Sequence, residues 1–285
     1  KRKIDLVAGI HFKAGDRLTV LDVSLEKNSS AIKNALANQV EVFYVDHHYP
    51  GAIPVSANFT SIINESPDVC TSLLVNGYLQ GAYSQWAVVG AFGDNLKKSA
   101  LALAKNLNLS TSDLQRLEAL GIYINYNGYG SSIEDLHFNP VDLYRKLSAY
   151  SAPLDFVSSC KADFQKLEEG YNSDMLAAKN TKATVVDADI AVFILPNEPW
   201  ARRVSGVYSN DLTNAFPDRA HGVLTIKENG NYLVSVRAPL NNKQGAVDLC
   251  RNFPTGGGRA AAAGINDLPA DRLNYFIDKL RAGYS

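Results

Sequence analysis

Asp46, His47 and His48 are three adjacent potential metal ligands, and they directly follow the apolar run Val40-Glu41-Val42-Phe43-Tyr44-Val45. A run of that composition predicts a buried strand, and its carboxyl end is where an open α/β sheet binds ligands. Carboxylate and neutral imidazole together suit a transition ion, manganese or iron as readily as zinc. Two more acids punctuate apolar segments: Asp22 ends the run Arg17 to Leu21, and Asp94 follows Trp86 to Phe92 within Gly93-Asp94-Asn95. Three acids and two imidazoles on one edge are what a two-metal hydrolase needs. Carboxylates bridge the ions, histidines add neutral ligands, and the pair activates water while steadying a leaving oxygen. Asp22, Asp46, His47 and Asp94 are therefore the expected metal ligands, and Asp46, His47 and His48 the expected catalytic group. Adjacent histidines rarely point the same way, so one should hold metal while the other meets substrate or supports a ligand.

These groups need a scaffold that brings distant acids together. Glu26 to Asn38 places Ile32 and Leu36 on one helix face, with Val40 next in the same spacing. Strand, helix and strand within about 30 residues predict a parallel βαβ unit, whose strands end at a common edge. Thr60 to Asn64 reads as extended. Asp68 is a candidate N-cap for a helix over Thr71 to Leu79, with Cys70 a core thiol at its start. Residues 97–120 and 141–178 are helical by pattern, with Thr111-Ser112-Asp113 starting one helix. Asn125 to Gly130 is turn-rich, a loop or a structural turn.

From about residue 181 the texture changes to short β-type runs: Ala183 to Val186, Asp189 to Leu195, Gly222 to Ile226 and Tyr232 to Val236. Glu228-Asn229-Gly230-Asn231 predicts a hairpin between the last two. A helix over Asn242 to Arg251, a glycine-rich loop and a final helix from about 269 follow. The division is thus 1–178 and 182–285.

Here the chemistry changes to anion recognition. In Thr255-Gly256-Gly257-Gly258-Arg259 the glycines allow close backbone approach to a phosphate, and Arg259 adds a bidentate fork. In the strand before it, Ser235 and Arg237 face one side and Val236 the other. A flexible turn and a solvated sheet face are the ordinary alternatives. His11 and His221 stand alone and read as structural or surface groups, and Asp135-Leu136-His137 is a weaker site candidate.

The 285 residues carry 28 Lys plus Arg against 29 Asp plus Glu, a formal net charge of −1. That balance argues against coating long nucleic acid by bulk charge, and it leaves room for a short anionic ligand held by local arginines. Cys70, Cys160 and Cys250 lack CxxC spacing and read as free thiols. No apolar stretch of about 18 residues predicts a membrane span, and Lys1 to Leu6 lacks a signal peptide's apolar centre. The expected location is the cytoplasm.

Taken in order, these signals resemble the DHH phosphoesterase superfamily with its DHH-associated C-terminal domain, the branch of nanoRNases, oligoribonucleases and single-strand exonucleases. The resemblance rests on Asp22, Asp46-His47-His48, Asp94, Ser235/Arg237 and Gly256 to Arg259, and it spans nearly the whole chain. It implies an α/β fold in which a parallel-sheet DHH domain is joined by helices to a smaller mixed-sheet domain, with the active site in the cleft between them. It implies a divalent cofactor, manganese in particular. Ser235, Arg237, Gly256, Gly257, Gly258 and Arg259 would bind a nanoRNA, cyclic dinucleotide or phosphoadenosine-phosphate type of substrate. A homodimer is an open option and no membrane partner is implied. Polyphosphate or pyrophosphate hydrolysis is the alternative reaction, and a non-catalytic nucleotide binder the alternative class.

Two departures from the family pattern stand out. The family's GGGH is GGGR here, and arginine can clamp phosphate but cannot shuttle a proton. The family's opening Asp-x-Asp turn has no match upstream of Asp22, where only Asp5 and Asp16 occur. The resemblance then implies that roughly a strand and a helix precede Lys1 in a longer chain, and that without them one ion is held rather than two.

Overall fold

The computed structural model describes residues 5–284; the start at Lys1-Arg2-Lys3-Ile4, used above in the signal-peptide reading, lies outside them. Two compact units emerge. One holds the described residues up to Gly128 together with Phe138–Glu168, and the other holds Tyr129–His137 together with those from Glu169 onward.

The first unit opens with the predicted βαβ arrangement: β1 (Arg17–Leu21), α1 (Leu25–Ala37) and β2 (Glu41–Asp46), extended by β3 (Phe59–Ile63). The strands run parallel in the order β1-β2-β3, with Leu21 opposite Val45 and Asp46 opposite Ile63. Ser24 caps α1 by accepting from the Lys27 N–H. Leu25, Ile32 and Ala35 of that helix are fully buried in one cluster with Val42 and Tyr44. Each large apolar side chain so buried contributes about 1.5–3 kcal/mol.

Helices make up the rest of this unit. They are α2 (Thr71–Tyr78), α3 (Ser84–Gly93), α4 (Lys97–Ala104), α5 (Thr111–Tyr126), α6 (Pro140–Leu147), α7 (Pro153–Ser159) and α8 (Lys161–Lys179), the last continuing into the second unit. Asp68 does not cap α2. The N-cap is Cys70, held extended and buried in the helical core, while the Asp68 carbonyl accepts from Ser99 Oγ. The apolar segment ahead of Asp94 is α3, apolar on all sides because it is an interior helix. It packs closely on α5: a Cβ at Gly121 would stand 2.3 Å from the Val89 carbonyl oxygen. Helix α5 is capped by Ser110, one residue before the predicted start, and runs through Tyr126 into the stretch read as a turn. Buried Asn127 then bonds both backbone groups of Phe138.

The second unit contains a six-stranded mixed sheet in the order β4-β5-β6-β7-β9-β8. Its strands are β4 (Val185–Val186), β5 (Ile190–Leu195), β6 (Ala220–Ile226), β7 (Tyr232–Arg237), β8 (Gly256–Gly258) and β9 (Ala262–Leu268). Strands β5 and β6 are parallel, and the other neighbours antiparallel, including the predicted β6–β7 hairpin. Helix α9 (Pro199–Ala215) connects β5 and β6, while α10 (Ala246–Cys250) and α11 (Leu273–Tyr284) complete the unit. The helix predicted over 242–251 shortens to α10 because Gly245 just before it takes a left-handed φ of 90°. The glycine-rich loop is instead an edge hairpin. Its Gly256 is required by packing, since a Cβ there would lie 1.7 Å from the Cys250 carbonyl oxygen. No helix among the described residues is long and apolar enough to cross a membrane.

Candidate metal centre

Parallel β1 and β2 end side by side, and the two residues that follow from this are Asp22 and Asp46. The Asp22 N–H still bonds the Val45 carbonyl at 3.1 Å, extending the ladder by one rung. Its φ of 61° then turns the chain away, a left-handed conformation that aspartate tolerates better than branched residues. The Asp22 carboxylate accepts from Thr71 Oγ1 at 2.9 Å, and Thr71 is the buried first residue of α2. Sequence reasoning passed over Thr71; a hydroxyl residue at a helix start beside a core cysteine is the only signal it leaves.

Asp46 is fully buried. Its Oδ1 accepts from the His47 backbone N–H at 2.8 Å and from His48 Nδ1 at 2.7 Å. Its Oδ2 is buried with no hydrogen-bond partner among the described residues. Burial first, and then the Asp46 charge, push the Tyr44 phenol pKa upward, and that phenol donates to the Val23 carbonyl.

His47 Nδ1 lies 2.9 Å from the Val69 carbonyl oxygen. A carbonyl can only accept, so Nδ1 carries the proton and Nε2 presents its lone pair. That Nε2 sits 3.4 Å from Asp22 Oδ1 and 3.6 Å from Asp94 Oδ2. Asp94 arrives from the C-terminal end of α3, where Asn95 turns the chain at φ 62°. The third acid therefore comes from a helix, not a strand. The His48 ring stands 4.5 Å from that of His47, tilted by 58°.

The donors suit a divalent ion. Asp22, His47 and His48 each offer a ligand atom within 4.8 Å of the others. One carboxylate and two imidazoles whose far nitrogens are fixed by acceptors make an oriented transition-metal donor set. Asp46 and Asp94 both fall outside that group of three: Asp46 Oδ1 is bonded to His48 Nδ1, and Asp94 Oδ2 stands 3.6 Å from His47 Nε2.

In the second unit, Ser235 and Arg237 do share one face of β7, with Val234 and Val236 buried on the other. Arg237 Nη1 donates to Ser235 Oγ at 3.0 Å and Nε to Asn210 Oδ1 at 2.8 Å; the remaining contacts reach the Val236 and Gly206 carbonyls. None of these partners is a carboxylate. Burial lowers the Arg237 pKa, Tyr129 opposes that shift and Arg259 adds to it, so two guanidinium charges act on each other here. Gly257 faces open space, whereas at Gly258, with φ 143°, a Cβ would lie 2.5 Å from Ala263 Cα. Asp135 and His137 belong to a different network, in which Arg202 grips Asp135 and Arg203 grips Asp174, 3.3 Å from His137 Nε2. His11 is exposed and His221 fully buried.

No family model matches the chain, and no curated protein does. Its backbone is similar to that of RecJ from Thermus thermophilus, solved in complex with Mg2+, at a TM-score of 0.54 and 15% identity; the match covers 94% of this chain and 49% of that one. It is similar also to PggH, a pGpG-specific phosphodiesterase from Vibrio cholerae, at a TM-score of 0.52 and 12% identity, covering 94% of this chain and 99% of that one. This chain thus spans about half the length of RecJ. The chain thus shares the fold of RecJ and PggH, the α/β fold that the DHH resemblance implied.

Proposed function

We propose that this chain is a manganese-dependent phosphoesterase hydrolysing short nucleotides of the nanoRNA, cyclic dinucleotide or phosphoadenosine-phosphate type. The observation that carries this reading is His47 Nε2, its lone pair fixed by the Val69 carbonyl, lying beside both Asp22 and Asp94. Similarity of fold to a pGpG-specific phosphodiesterase and to a Mg2+-bound RecJ supports it.

Asp22, His47 and Asp94 would hold the ion, with Thr71 orienting Asp22. A bound divalent ion supplies Lewis acidity that activates water and offsets phosphate charge. His48, anchored through Nδ1 by Asp46, has Nε2 left to exchange a proton with the leaving oxygen. Ser235, Arg237, Gly256, Gly257, Gly258 and Arg259 bind the substrate phosphate, with Arg259 as a clamp where the family has histidine. We place the activity in the cytoplasm, in keeping with three free cysteines.

The test is a manganese titration by calorimetry beside hydrolysis of a linear guanine dinucleotide, for wild type, Asp22→Asn and His47→Gln. Wild type should bind manganese and release mononucleotide. Both variants should lose at least about 100-fold in turnover, since first ligands should matter at least as much as the groups behind them. Manganese binding without turnover would leave a nucleotide binder, and neither binding nor turnover would remove the metal site altogether.

A further inference from the structure

Three arginines of the second unit meet or lie on helix α9, and the fold partners them differently. Arg202 and Arg203, on the helix, are held by the carboxylates of Asp135 and Asp174. In both cases the acid takes the same edge of the guanidinium, Nε and Nη2 together. Arg237 reaches α9 from β7, and its Nε meets the Oδ1 of Asn210 at 2.8 Å. Asn210 is the amide of the acid that would match. The helix does carry an acid at the next position, Asp211, and that carboxylate pairs with Lys179 instead.

A guanidinium has five N–H groups and no acceptor. Nε can only donate, so the amide oxygen of Asn210 has to face it. Nη1 donates to Ser235 Oγ at 3.0 Å and to the Val236 carbonyl at 3.1 Å, which uses both its protons. Nη2 has one contact among the described residues, the Gly206 carbonyl at 3.5 Å, the longest of the set. At least one N–H of Nη2 therefore lacks an acceptor there, and the edge that acids fill on Arg202 and Arg203 is only half filled on Arg237. The helix leaves room nearby, because a Cβ at Gly206 would meet nothing within 4 Å. Packing thus gives no reason for a glycine in this helix interior, where it is the least favourable residue after proline.

We propose that Asn210 is a positioning residue of the phosphate site: its neutral oxygen holds Arg237 by Nε and leaves Nη2 and the positive charge to a phosphate oxygen. The inference rests on the phosphoesterase reading for the identity of the anion. It deepens that reading by naming the group that keeps Arg237 from becoming a third structural ion pair. Burial and Arg259 both disfavour the Arg237 charge, and a bound anion offsets both.

Asn210→Asp and Asn210→Ala separate this role from a structural one. The aspartate can fork onto Nε and Nη2 as Asp135 does on Arg202, filling the edge and cancelling the charge. The alanine releases the guanidinium and keeps its charge. Metal-free protein is titrated with guanosine 5′-monophosphate by calorimetry, and urea midpoints are measured alongside. Asn210→Asp should weaken binding about 10-fold or more, as for loss of a charged hydrogen bond, while its urea midpoint stays level or rises. Asn210→Ala should weaken binding only about 3-fold and lower the midpoint, as for loss of a weaker bond. Affinity and stability then fall in opposite orders across the two variants, which a structural asparagine would not produce. With manganese and the dinucleotide, KM should follow the same order and kcat stay near wild type. Wild-type affinity in Asn210→Asp, equal losses in both variants, or no saturable binding by wild type would overturn the assignment. Failure of the phosphoesterase reading looks different: wild type then binds the monophosphate and hydrolyses no dinucleotide, while the order of the two affinities still decides the role of Asn210.

Discussion

The two units partner their acids in opposite ways. In the second, Asp135 and Asp174 are each gripped by an arginine through two or more hydrogen bonds, Arg202 and Arg203 respectively, with contacts from 2.6 to 3.2 Å. The arginine hydrogen bonds leave the Asp135 carboxyl with a pKa of about 2. In the first, Asp22 and Asp46 have imidazoles and a threonine hydroxyl as partners, and no lysine or arginine pairs with either among the described residues. Neutralised acids fasten structure together, whereas acids left with neutral donors keep the negative potential that draws a cation. The histidines divide likewise. His47 and His48 each have one nitrogen fixed by an acceptor, while His221 is fully buried, and burial together with Arg219 pushes its pKa down to about 4.

The strongest way to break this comparison is to remove one arm of a matched pair. Asp174→Asn leaves the Arg203 guanidinium, 11% exposed, facing an uncharged partner. Urea unfolding should show a loss of about 3–5 kcal/mol, the cost of orphaning a buried charge. Replacing both residues, Asp174→Leu with Arg203→Met, should recover much of it. A loss under about 1 kcal/mol would show that the pair is no more than a surface bridge. Next comes His221. Its folded pKa lies below the ordinary 6.5, so the unfolded chain binds the extra proton first. Stability from this group is complete above about pH 6.5, falls as pH drops to about 4, and changes no further below. The span corresponds to about 3 kcal/mol. His221→Phe should flatten that part of the acid-unfolding curve, and an unaltered curve would assign the acid loss elsewhere.

The sequence makes this contrast only half visible. Asp22, Asp46, His47 and His48 stand out because strand ends are short and punctuated, Asp94 because it closes an apolar run that is a helix, and the βαβ unit follows from Ile32, Leu36 and Val40. The roles within the cluster were hidden, because they depend on groups without a side-chain signature. The Val69 carbonyl beside His47 Nδ1 is backbone, and the Asp46–His48 bond could be seen only in the folded chain. The arginine pairs were hidden too, since Asp135 and Arg202 are 67 residues apart. Helix α9 went unpredicted, its Gly206, serines and β-branched residues diluting the helical pattern, although Pro199 at its first turn was a usable start signal. The glycines of Gly256 to Gly258 were visible, but their packing role was not. Two of the three are there because neighbouring backbone leaves no room for a Cβ.

Asp46→Asn sharpens the comparison on the side of the first unit. The amide keeps the shape and removes the buried charge behind His48. Turnover should fall about 100-fold, the low end of what a positioned acid–base group contributes. Manganese affinity should fall less, because Asp22, His47 and Asp94 remain. Equal losses in affinity and turnover would return Asp46 to the ligand set, and wild-type turnover at limiting manganese would dismiss it from the site.

The smallest expected effect tests whether an arginine of the second unit without an acid partner is there for an anion. Among the described residues Arg237 is bonded only to Asn210, Ser235 and two carbonyls, and its charge is disfavoured by burial and by Arg259. A phosphate would relieve both penalties, so the site should bind anions more tightly than an exposed arginine could. Arg237→Ala should lower kcat/KM for the dinucleotide about 10-fold, through KM, by loss of one charged hydrogen-bonding group. Stability should stay level or rise, because a repelling buried charge leaves without orphaning a partner acid. That sign distinguishes it from Asp174→Asn. A destabilised Arg237→Ala with unchanged kinetics would place this arginine with Arg202 and Arg203 as a fastener, and would leave Arg259 as the second unit's expected phosphate clamp.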